Sequence, residues 1–227
     1  MKSRPAKILD RLDREYPDAH LELEFGTPFQ LLIALILAAQ CTDDKVNELT
    51  RSFLFAKYRK PEDYLKVPVE ELERDIHPTG FFRNKAKAIR RCCEQLIERF
   101  GGEVPETVEE LTSLFGIGRK SANILLGNAF GQDALGVDTH VGRLSQRLGF
   151  TTQSDADKIE ADLVAQLPRR YWTHCCHLLQ AHGRRVCFAR KPNCPGCVVR
   201  DLCPYPDKTV AAPPRAKPLR PAFGRRP

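Results

Sequence analysis

The amino-acid sequence predicts an all-α fold. Apolar residues recur three and four positions apart in almost every segment, which is the spacing of one helix face. Alternation of apolar and polar residues, the mark of a half-buried strand, does not occur over any convincing length. Helix starts are marked by pairs such as Thr27 and Pro28, an N-cap followed by a first helical residue. Hydrophobic residues make up 42% and charged residues 29% of the 227 residues, a balance typical of a globular chain.

The helices are predicted around one buried member. The segment from Phe29 to Ala39 is apolar nearly all round and is therefore expected in the core. Thr42 begins the next helix, whose inward residues are expected to be Val46, Leu49 and Phe53. Further helices are predicted from Pro68 to before His77, from Asn84 to Phe100 with Gly101 as C-cap, from Thr139 to Leu148, from Ser154 to Leu167 and from Arg170 to His182.

A hairpin of two short helices is predicted around the sequence Gly116-Ile117-Gly118-Arg119. Thr107 can cap the first helix, and the second begins near Arg119. The two glycines interrupt the helical pattern, with an apolar residue between them. Backbone N–H groups at such a turn can meet a phosphate, and no side chain on either glycine blocks the approach.

Lys120 is expected in the first turn of the second hairpin helix, where the partial positive charge of the helix end disfavours a cation. Local rules of this kind tend to be broken at functional sites. The same field favours the neutral amine, which is the form that attacks an electrophilic carbon. Asp138 can return to this end, because the helix would be ~18 Å long. Residues 131–137 could span up to ~24 Å. Taken alone, the two residues favour plainer roles, a surface or phosphate-binding lysine and a helix N-cap.

Positive charge is concentrated in separate stretches of the chain. The formal net charge is +7 at pH 7, but residues 208–227 hold six of the 36 basic residues and no acid. The body is therefore nearly neutral, and it contains basic stretches without acids at 81–93 and 183–200. Sorted charge of this kind favours a polyanion-binding face, although solvated helix faces give the same pattern. The proline-rich tail is predicted to be disordered and to bind phosphates without fixing register.

Four of the nine cysteines form one compact group, Cys187, Cys194, Cys197 and Cys203, with six, two and five residues between them. Prolines and a glycine within the group keep the loop out of a helix. Four thiolates in one loop can hold a metal site, and the residues alone support zinc and an iron–sulfur cluster equally. The other five cysteines are expected to be small apolar residues in a reducing compartment.

Together, the hairpin, Lys120, Asp138 and the cysteine spacing resemble the endonuclease III family of DNA glycosylases, over about residues 5–205. The resemblance implies two all-α domains, with double-stranded DNA bound across the cleft between them. It also implies a [4Fe–4S] cluster held by the four-cysteine loop. The expected domains are 21–132 with the hairpin, 1–20 plus 133–207 with the cluster, and the tail 208–227.

The activity implied by the resemblance is removal of oxidised pyrimidines and cleavage of the abasic strand in base-excision repair. Lys120 matches the nucleophile that attacks C1′ of the deoxyribose, expels the base and forms a Schiff base, before β-elimination cleaves the strand. Asp138 matches the carboxylate that helps to activate this lysine and stabilises positive charge on the sugar. Both roles require a base that has been flipped out of the duplex.

DNA-binding residues also follow from the resemblance. Gly116, Gly118 and Arg119 match the hairpin that holds the DNA backbone. Gln40 matches a residue that fills the gap left by the flipped base, and Phe81 matches a bulky wedge inserted into the base stack. Three positions depart from the usual pattern. The hairpin usually begins Leu-Pro-Gly and here reads Leu114-Phe115-Gly116, the wedge is commonly aliphatic, and Gly142 stands where a larger residue is usual.

Two other functions are weighed against this activity. A monofunctional mismatch glycosylase is disfavoured by Lys120, and a non-catalytic iron–sulfur DNA-binding protein is disfavoured by the presence of both Lys120 and Asp138. The expected partner is duplex DNA with damaged bases or abasic sites, bound by a monomer. The chain has no apolar run long enough to span a membrane, and its N-terminus lacks the apolar core of a signal peptide. We therefore expect a bacterial cytoplasmic protein associated with the nucleoid.

Overall fold

A computed structural model describes residues 3–211 of the chain. This part consists of helices and connecting loops without a β-strand, which confirms the predicted all-α fold. The α-helices are α1 (Arg4–Glu15), α2 (Pro28–Leu37), α3 (Asp43–Leu49), α4 (Phe55–Lys57), α5 (Pro61–Lys66), α6 (Val69–Ile76), α7 (Phe82–Phe100), α8 (Val108–Thr112), α9 (Arg119–Ala129), α10 (Thr139–Arg147), α11 (Ala156–Gln166) and α12 (Trp172–Arg185). No helix within the described range is long and apolar enough to cross a membrane.

The chain divides into two compact units, and the first is the continuous segment Leu21–Ala134. Its central element is α2, in which every residue from Leu31 to Leu37 is buried. The Thr27 side chain caps this helix by accepting the Gln30 N–H at 3.2 Å, and Pro28 occupies the first helical position. Helices α7 and α9 pack against α2. The prediction of one buried, capped helix at the centre of the fold is confirmed.

A π-helical segment, Thr50–Leu54, separates α3 from α4 and changes which residues point inward. Each π hydrogen bond spans one residue more than an α hydrogen bond, and one extra residue rotates those that follow by about 100° around the helix. As a result Thr50 and Leu54 are buried, whereas Phe53 is 37% exposed. The prediction that Phe53 points inward is therefore wrong, although Val46 and Leu49 are buried as expected.

The second unit is discontinuous and comprises the described residues of Met1–His20 and Leu135–Pro227. Helix α1 buries Ile8, Leu9 and Leu12 and packs against α12, which also contacts α10. Polar contacts tie the same helix to the far end of the chain. Arg4 donates hydrogen bonds to the carbonyl oxygens of Leu148 and Leu202, at 2.6 and 3.1 Å. The first residues of the chain are thus part of a unit formed mainly by the residues that follow position 134.

Some helix boundaries differ from the predictions. Helix α5 was not predicted. It begins with a proline, and the Asp63 carboxylate accepts the backbone N–H groups of Arg59 and Lys60 at 3.0 and 3.2 Å. Helix α11 is capped by Asp155, one residue later than the predicted start. A 3₁₀ turn precedes α12, which shortens that helix at its start. None of these differences moves a predicted site residue into another element.

Candidate DNA-binding and metal-binding sites

The hairpin between α8 and α9 is fixed by two buried side chains and by one glycine. Leu114 and Ile117 are buried in the core of the unit Leu21–Ala134. Gly116 between them has φ +88°, a left-handed conformation that glycine adopts without strain. A Cβ atom at this position would also lie 3.3 Å from Cβ of Ala88 on α7. The conformation and the packing of the turn therefore both require a glycine here.

Gly118 has a different environment, although it lies only two residues later. Its φ of −95° is accessible to any residue, and a Cβ atom there would meet nothing within 4 Å. It forms the N-cap of α9 without a side-chain hydrogen bond to the helix end. The absence of a side chain leaves the first N–H groups of α9 open to approach, which is the arrangement that binds phosphate groups. Packing in the protein does not account for glycine at this position.

The first turn of α9 carries two cations, Arg119 and Lys120, and both are exposed. The predicted start of this helix near Arg119 is confirmed. Lys120 is the second helical residue, so its ammonium group lies where the helix field opposes a positive charge. Acidic side chains are absent from this first turn. The end of α9 therefore combines open amides with a solvent-exposed amine.

Gln40 and Phe81 share a backbone conformation that non-glycine residues rarely adopt. Their φ values are +53° and +49°, and such strain costs roughly 1–3 kcal/mol per residue. Both side chains are exposed, and Phe81 is 60% exposed. Burial in the core is therefore excluded as the reason for phenylalanine at position 81. Strain of this kind clusters at ligand-binding sites, where the surrounding structure maintains it.

Lys85 is a site residue that sequence reasoning missed. It is buried, and its ammonium group donates a 2.8 Å hydrogen bond to the carbonyl oxygen of Thr79. Burial lowers the pKa of Lys85, and the nearby Cys41 thiol has a smaller opposite effect. Through this hydrogen bond the Lys85 side chain stabilises the turn that carries Phe81. It also lies near Cys41, which follows Gln40. The signal was its helical register, because Lys85 shares the apolar face of α7 with Ile89 and Leu96.

Asp138 belongs to the second unit and caps α10. Its Oδ1 accepts the Val141 N–H at 2.7 Å, so the predicted capping role is confirmed. The side chain is half-buried. Within residues 3–211, Oδ2 of Asp138 has no hydrogen-bond partner. Lys120 lies in the other unit.

The four-cysteine loop forms one wall of a single cavity in the second unit. Cys187, Cys194, Cys197 and Cys203 all line it, and its volume is about 380 Å³ with the open mouth included. Arg147 of α10 holds the start of the loop. It donates to the carbonyl oxygen of Phe188 at 2.7 Å and to Sγ of Cys187 at 3.4 Å. The Cys203 thiol donates to the carbonyl oxygen of Arg147 at 3.3 Å, so α10 is bonded to the first and the last cysteine.

A buried histidine joins the loop to the N-terminal helix. Nε2 of His182 lies 3.5 Å from Sγ of Cys197, and its Nδ1 lies 2.8 Å from the Tyr16 hydroxyl. Burial lowers the pKa of His182 to about 4, so the imidazole is neutral at physiological pH. Burial also raises the pKa of Cys197 to about 11, which means that this thiol needs a cation nearby to ionise.

The four thiols are the donor set that this cavity offers to a metal group. Across the described residues, no three His, Cys, Asp or Glu side chains are grouped closely enough to hold one metal ion. The four thiols surround a shared space, and a set of four thiolates is compatible with an iron–sulfur cluster. All nine cysteines are free thiols, and four of the five outside the loop are buried, in agreement with the predicted apolar role. Cys41 is only half-buried.

Comparison with known proteins defines the class to which this chain belongs. Residues 33–169 match the family described as HhH-GPD superfamily base excision DNA repair protein. Endonuclease III of Synechocystis sp. is 48% identical over 89% of this chain and 93% of its own length. Endonuclease III of Bacillus subtilis is 45% identical over 86% and 89%. The solved structure of a trapped endonuclease III–DNA covalent intermediate is 45% identical, with a TM-score of 0.85 over 90% of this chain and 97% of that one.

This chain belongs to the endonuclease III family within that superfamily.

Proposed function

We propose that this protein is a bifunctional DNA glycosylase and abasic-site lyase of base-excision repair. Its substrate is duplex DNA that contains oxidised pyrimidines or abasic sites. The observation that carries the proposal is the start of α9, where an exposed lysine follows an open, glycine-lined hairpin. The 45% identity to a chain that was trapped as a covalent intermediate with DNA supports a covalent mechanism.

Lys120 is proposed as the nucleophile. Its ε-amine attacks C1′ of the deoxyribose, and the C1′–N bond to the damaged base breaks as the base leaves. Loss of a proton and opening of the sugar ring then give the Schiff base. This cation acidifies C2′, and β-elimination breaks the C3′–O bond on the 3′ side of the lesion. Lys120 is exposed in the first turn of α9, beside the open end of the helix.

Asp138 is proposed as the carboxylate that assists Lys120 and stabilises positive charge on the sugar. Its two oxygens differ in their contacts. Oδ1 caps α10, whereas Oδ2 remains without a hydrogen-bond partner within residues 3–211. The cap fixes the orientation of the carboxylate, and an oriented negative charge stabilises a developing cation without reorganisation. The capping and catalytic roles are therefore compatible in one side chain.

Gln40 and Phe81 are proposed to hold the duplex open. Gln40 fills the space that the flipped base leaves, and Phe81 enters the stack as a wedge. An exposed aromatic side chain on a strained turn supports this assignment, because neither exposure nor strain stabilises the free protein. Gly116, Gly118 and Arg119 contact the phosphate backbone through the open end of α9.

Cys187, Cys194, Cys197 and Cys203 are proposed to hold a [4Fe–4S] cluster. The shared cavity and the donor set support it, and the cluster supplies the positive charge that keeps buried thiolates ionised. Hydrogen bonds connect the same residues, 187–203, to α10 through Arg147 and to the end of α1 through His182 and Tyr16. A monomer in the bacterial cytoplasm, at the nucleoid where its substrate lies, is the proposed working state.

Trapping with borohydride tests the proposed reaction. The enzyme is incubated with an abasic duplex and with a duplex containing one oxidised pyrimidine, and each mixture is reduced. Both reactions should give a covalent protein–DNA adduct, because only a Schiff base is reduced to a stable bond. A monofunctional glycosylase would release the base without an adduct, and a non-catalytic protein would do neither. Either of those results would remove the proposal.

A further inference from the structure

The hairpin carries a phenylalanine, Phe115, immediately before Gly116, and its ring is 38% exposed. The guanidinium carbon of Arg91, on the exposed side of α7, lies 4.3 Å from the centroid of this ring. At this distance the cation is attracted to the face of the ring. The hairpin therefore has a cation stacked on the residue next to its glycine turn.

Two further side chains of α7 hold the same part of the hairpin. Oε1 of Gln95 accepts the backbone N–H of Phe115 at 2.6 Å. Arg99 donates to Oγ of Ser113 at 2.9 Å. Arg91, Gln95 and Arg99 are spaced four residues apart, so they form one row on α7 beside the hairpin. The Phe115 ring and its backbone are thus both fixed relative to the Arg91 side chain.

Arg91 has no acidic partner in the described part of the chain, and it makes no hydrogen bond there. Other arginines of the same unit differ in this respect. Arg51 forms a two-point ion pair with Glu24, and Arg90 donates to backbone carbonyl oxygens. A guanidinium that is stacked on a ring still has its N–H donors directed outward in its own plane. Arg91 is therefore an oriented cation whose donors are available to a ligand.

We propose that Arg91, held against Phe115, binds a DNA phosphate beside the one that the open end of α9 binds. This inference rests on the proposed function, because it requires that the hairpin face DNA. The chemistry that fits the site is a phosphodiester oxygen, since guanidinium donors match phosphate geometry and the hairpin amides also select anions. Gln95 acts as a positioning residue, because it fixes the backbone that carries the ring.

Replacement of Arg91 by methionine tests the contact. The variant keeps an unbranched apolar side chain on the Phe115 ring and loses the charge and donors. Affinity for an undamaged duplex is measured between 50 and 200 mM salt. Loss of one phosphate contact should lower the slope of log K against log salt by ~0.9. Equivalently, the affinity ratio of wild type to variant should shrink by roughly 3.5-fold over this salt range. Parallel lines for wild type and Arg91→Met would overturn the inference.

Three further variants separate this contact from other effects. Arg51→Met removes one exposed cation that Glu24 already pairs, and its slope should equal that of wild type. Arg91→Lys keeps a positive charge and should therefore keep most of the wild-type salt slope. Phe115→Leu keeps the N–H that Gln95 binds and removes the ring, so it should weaken binding. In the double variant with Arg91→Met, Phe115→Leu should reduce the affinity for DNA little further. If the two losses of affinity added fully, the ring would not act through Arg91.

The two proposals fail separately. Absence of a borohydride-trapped adduct in wild type would remove the proposed lyase activity. An adduct in wild type together with parallel salt lines for Arg91→Met would leave that activity intact and remove only the Arg91 contact. Thermal unfolding of each variant checks that the exposed substitutions leave the fold unchanged.

Discussion

Among single residues, Lys120 is the proposed nucleophile. Lys120→Ala should abolish borohydride trapping and strand cleavage, whereas binding to an abasic duplex should survive because the hairpin amides remain. Lys120→Arg should also fail, since a guanidinium stays protonated and cannot attack carbon. Both variants are assayed by gel separation of adducts and by duplex affinity. A trapped adduct in Lys120→Ala would show that another amine is the nucleophile.

Asp138→Asn separates the two roles of this side chain. Asparagine caps helices about as well as aspartate, so α10 should form and stability should change by less than about 0.5 kcal/mol. The carboxylate charge is lost, and base excision should fall by roughly 10²–10⁴-fold. Single-turnover excision and urea unfolding are measured on the same preparation. Excision near the wild-type rate in a folded variant would leave capping as the whole role of Asp138.

Lys85 supports the turn that carries Phe81. Lys85→Met removes the hydrogen bond to the Thr79 carbonyl oxygen, a loss worth about 1–3 kcal/mol. Relief of the buried ammonium group offsets part of this cost. We therefore expect a small change in global stability and faster amide hydrogen exchange in residues 79–82. Lys87→Met, an exposed change on the same helix, is the matched control. Unchanged exchange in Lys85→Met would show that the turn is held by other contacts.

Among the structural elements, the cysteine loop has little regular structure or apolar burial of its own. The 3₁₀ turn Cys194–Gly196 is the only helical segment of residues 187–203. Val199 is the one residue of this segment in the buried hydrophobic core. Metal ligation should supply the remaining stabilisation.

The purified protein should contain iron and acid-labile sulfide in equal amounts, as a [4Fe–4S] cluster requires. Cys197→Ser should lower both, because a neutral hydroxyl replaces a thiolate ligand. Cys41→Ser, a half-buried cysteine in the other unit, should leave both unchanged. Iron and sulfide are assayed chemically, with zinc measured in the same sample. Stoichiometric zinc without iron would contradict the cluster.

The helices could be predicted where a cap and an apolar stripe agree. Thr27, Thr107 and Asp138 each accept a backbone N–H at the start of a predicted helix. The inward direction of Phe53 could not be predicted, because the π turn before it depends on packing rather than on a local residue signal. The same limit explains α5, whose six residues are too few to show a full helical period.

The predicted site residues were found by spacing and by resemblance, but their local geometry was not predictable. The left-handed backbone at Gln40 and Phe81 is imposed by surrounding structure, since neither residue type favours it. The role of Lys85 depends on a contact with a carbonyl group in a separate turn. The stacking of Arg91 on Phe115 joins residues 24 positions apart in different elements. Such contacts arise only after the chain has folded.

At the scale of the whole molecule, positive charge is divided between the folded body and the C-terminal tail. The predicted tail, 208–227, falls outside the described residues from 212 onward. Its first residues contact the cysteine loop, because the Thr209 hydroxyl accepts the Cys194 N–H at 3.2 Å and donates to the Pro192 carbonyl oxygen. The folded body therefore continues beyond the predicted start of the tail, and a truncation should retain Thr209.

Truncation after residue 211 should weaken binding to an undamaged duplex. It removes Arg215, Lys217, Arg220, Arg225 and Arg226. If all five met phosphates, the salt slope would fall by ~4.5, and partial contact would give less. Excision from a saturated substrate should change little, because Lys120 and Asp138 are retained. Affinity across a salt series compares the two proteins, and superimposable slopes would show that the tail does not contact DNA.

The contacts of Arg4 with Leu148 and Leu202 also determine when the second unit can finish folding during synthesis. Helix α1 emerges from the ribosome first, but Leu148 follows Arg4 by 144 positions and Leu202 follows it by 198. At translation rates of about 5–20 residues per second, roughly 10–40 s separate the synthesis of Arg4 from that of Leu202. The continuous segment Leu21–Ala134 needs no such partner and can fold during this interval. Until α12 has been made, the apolar stripe of α1, formed by Ile8, Leu9 and Leu12, lacks the helix against which it packs.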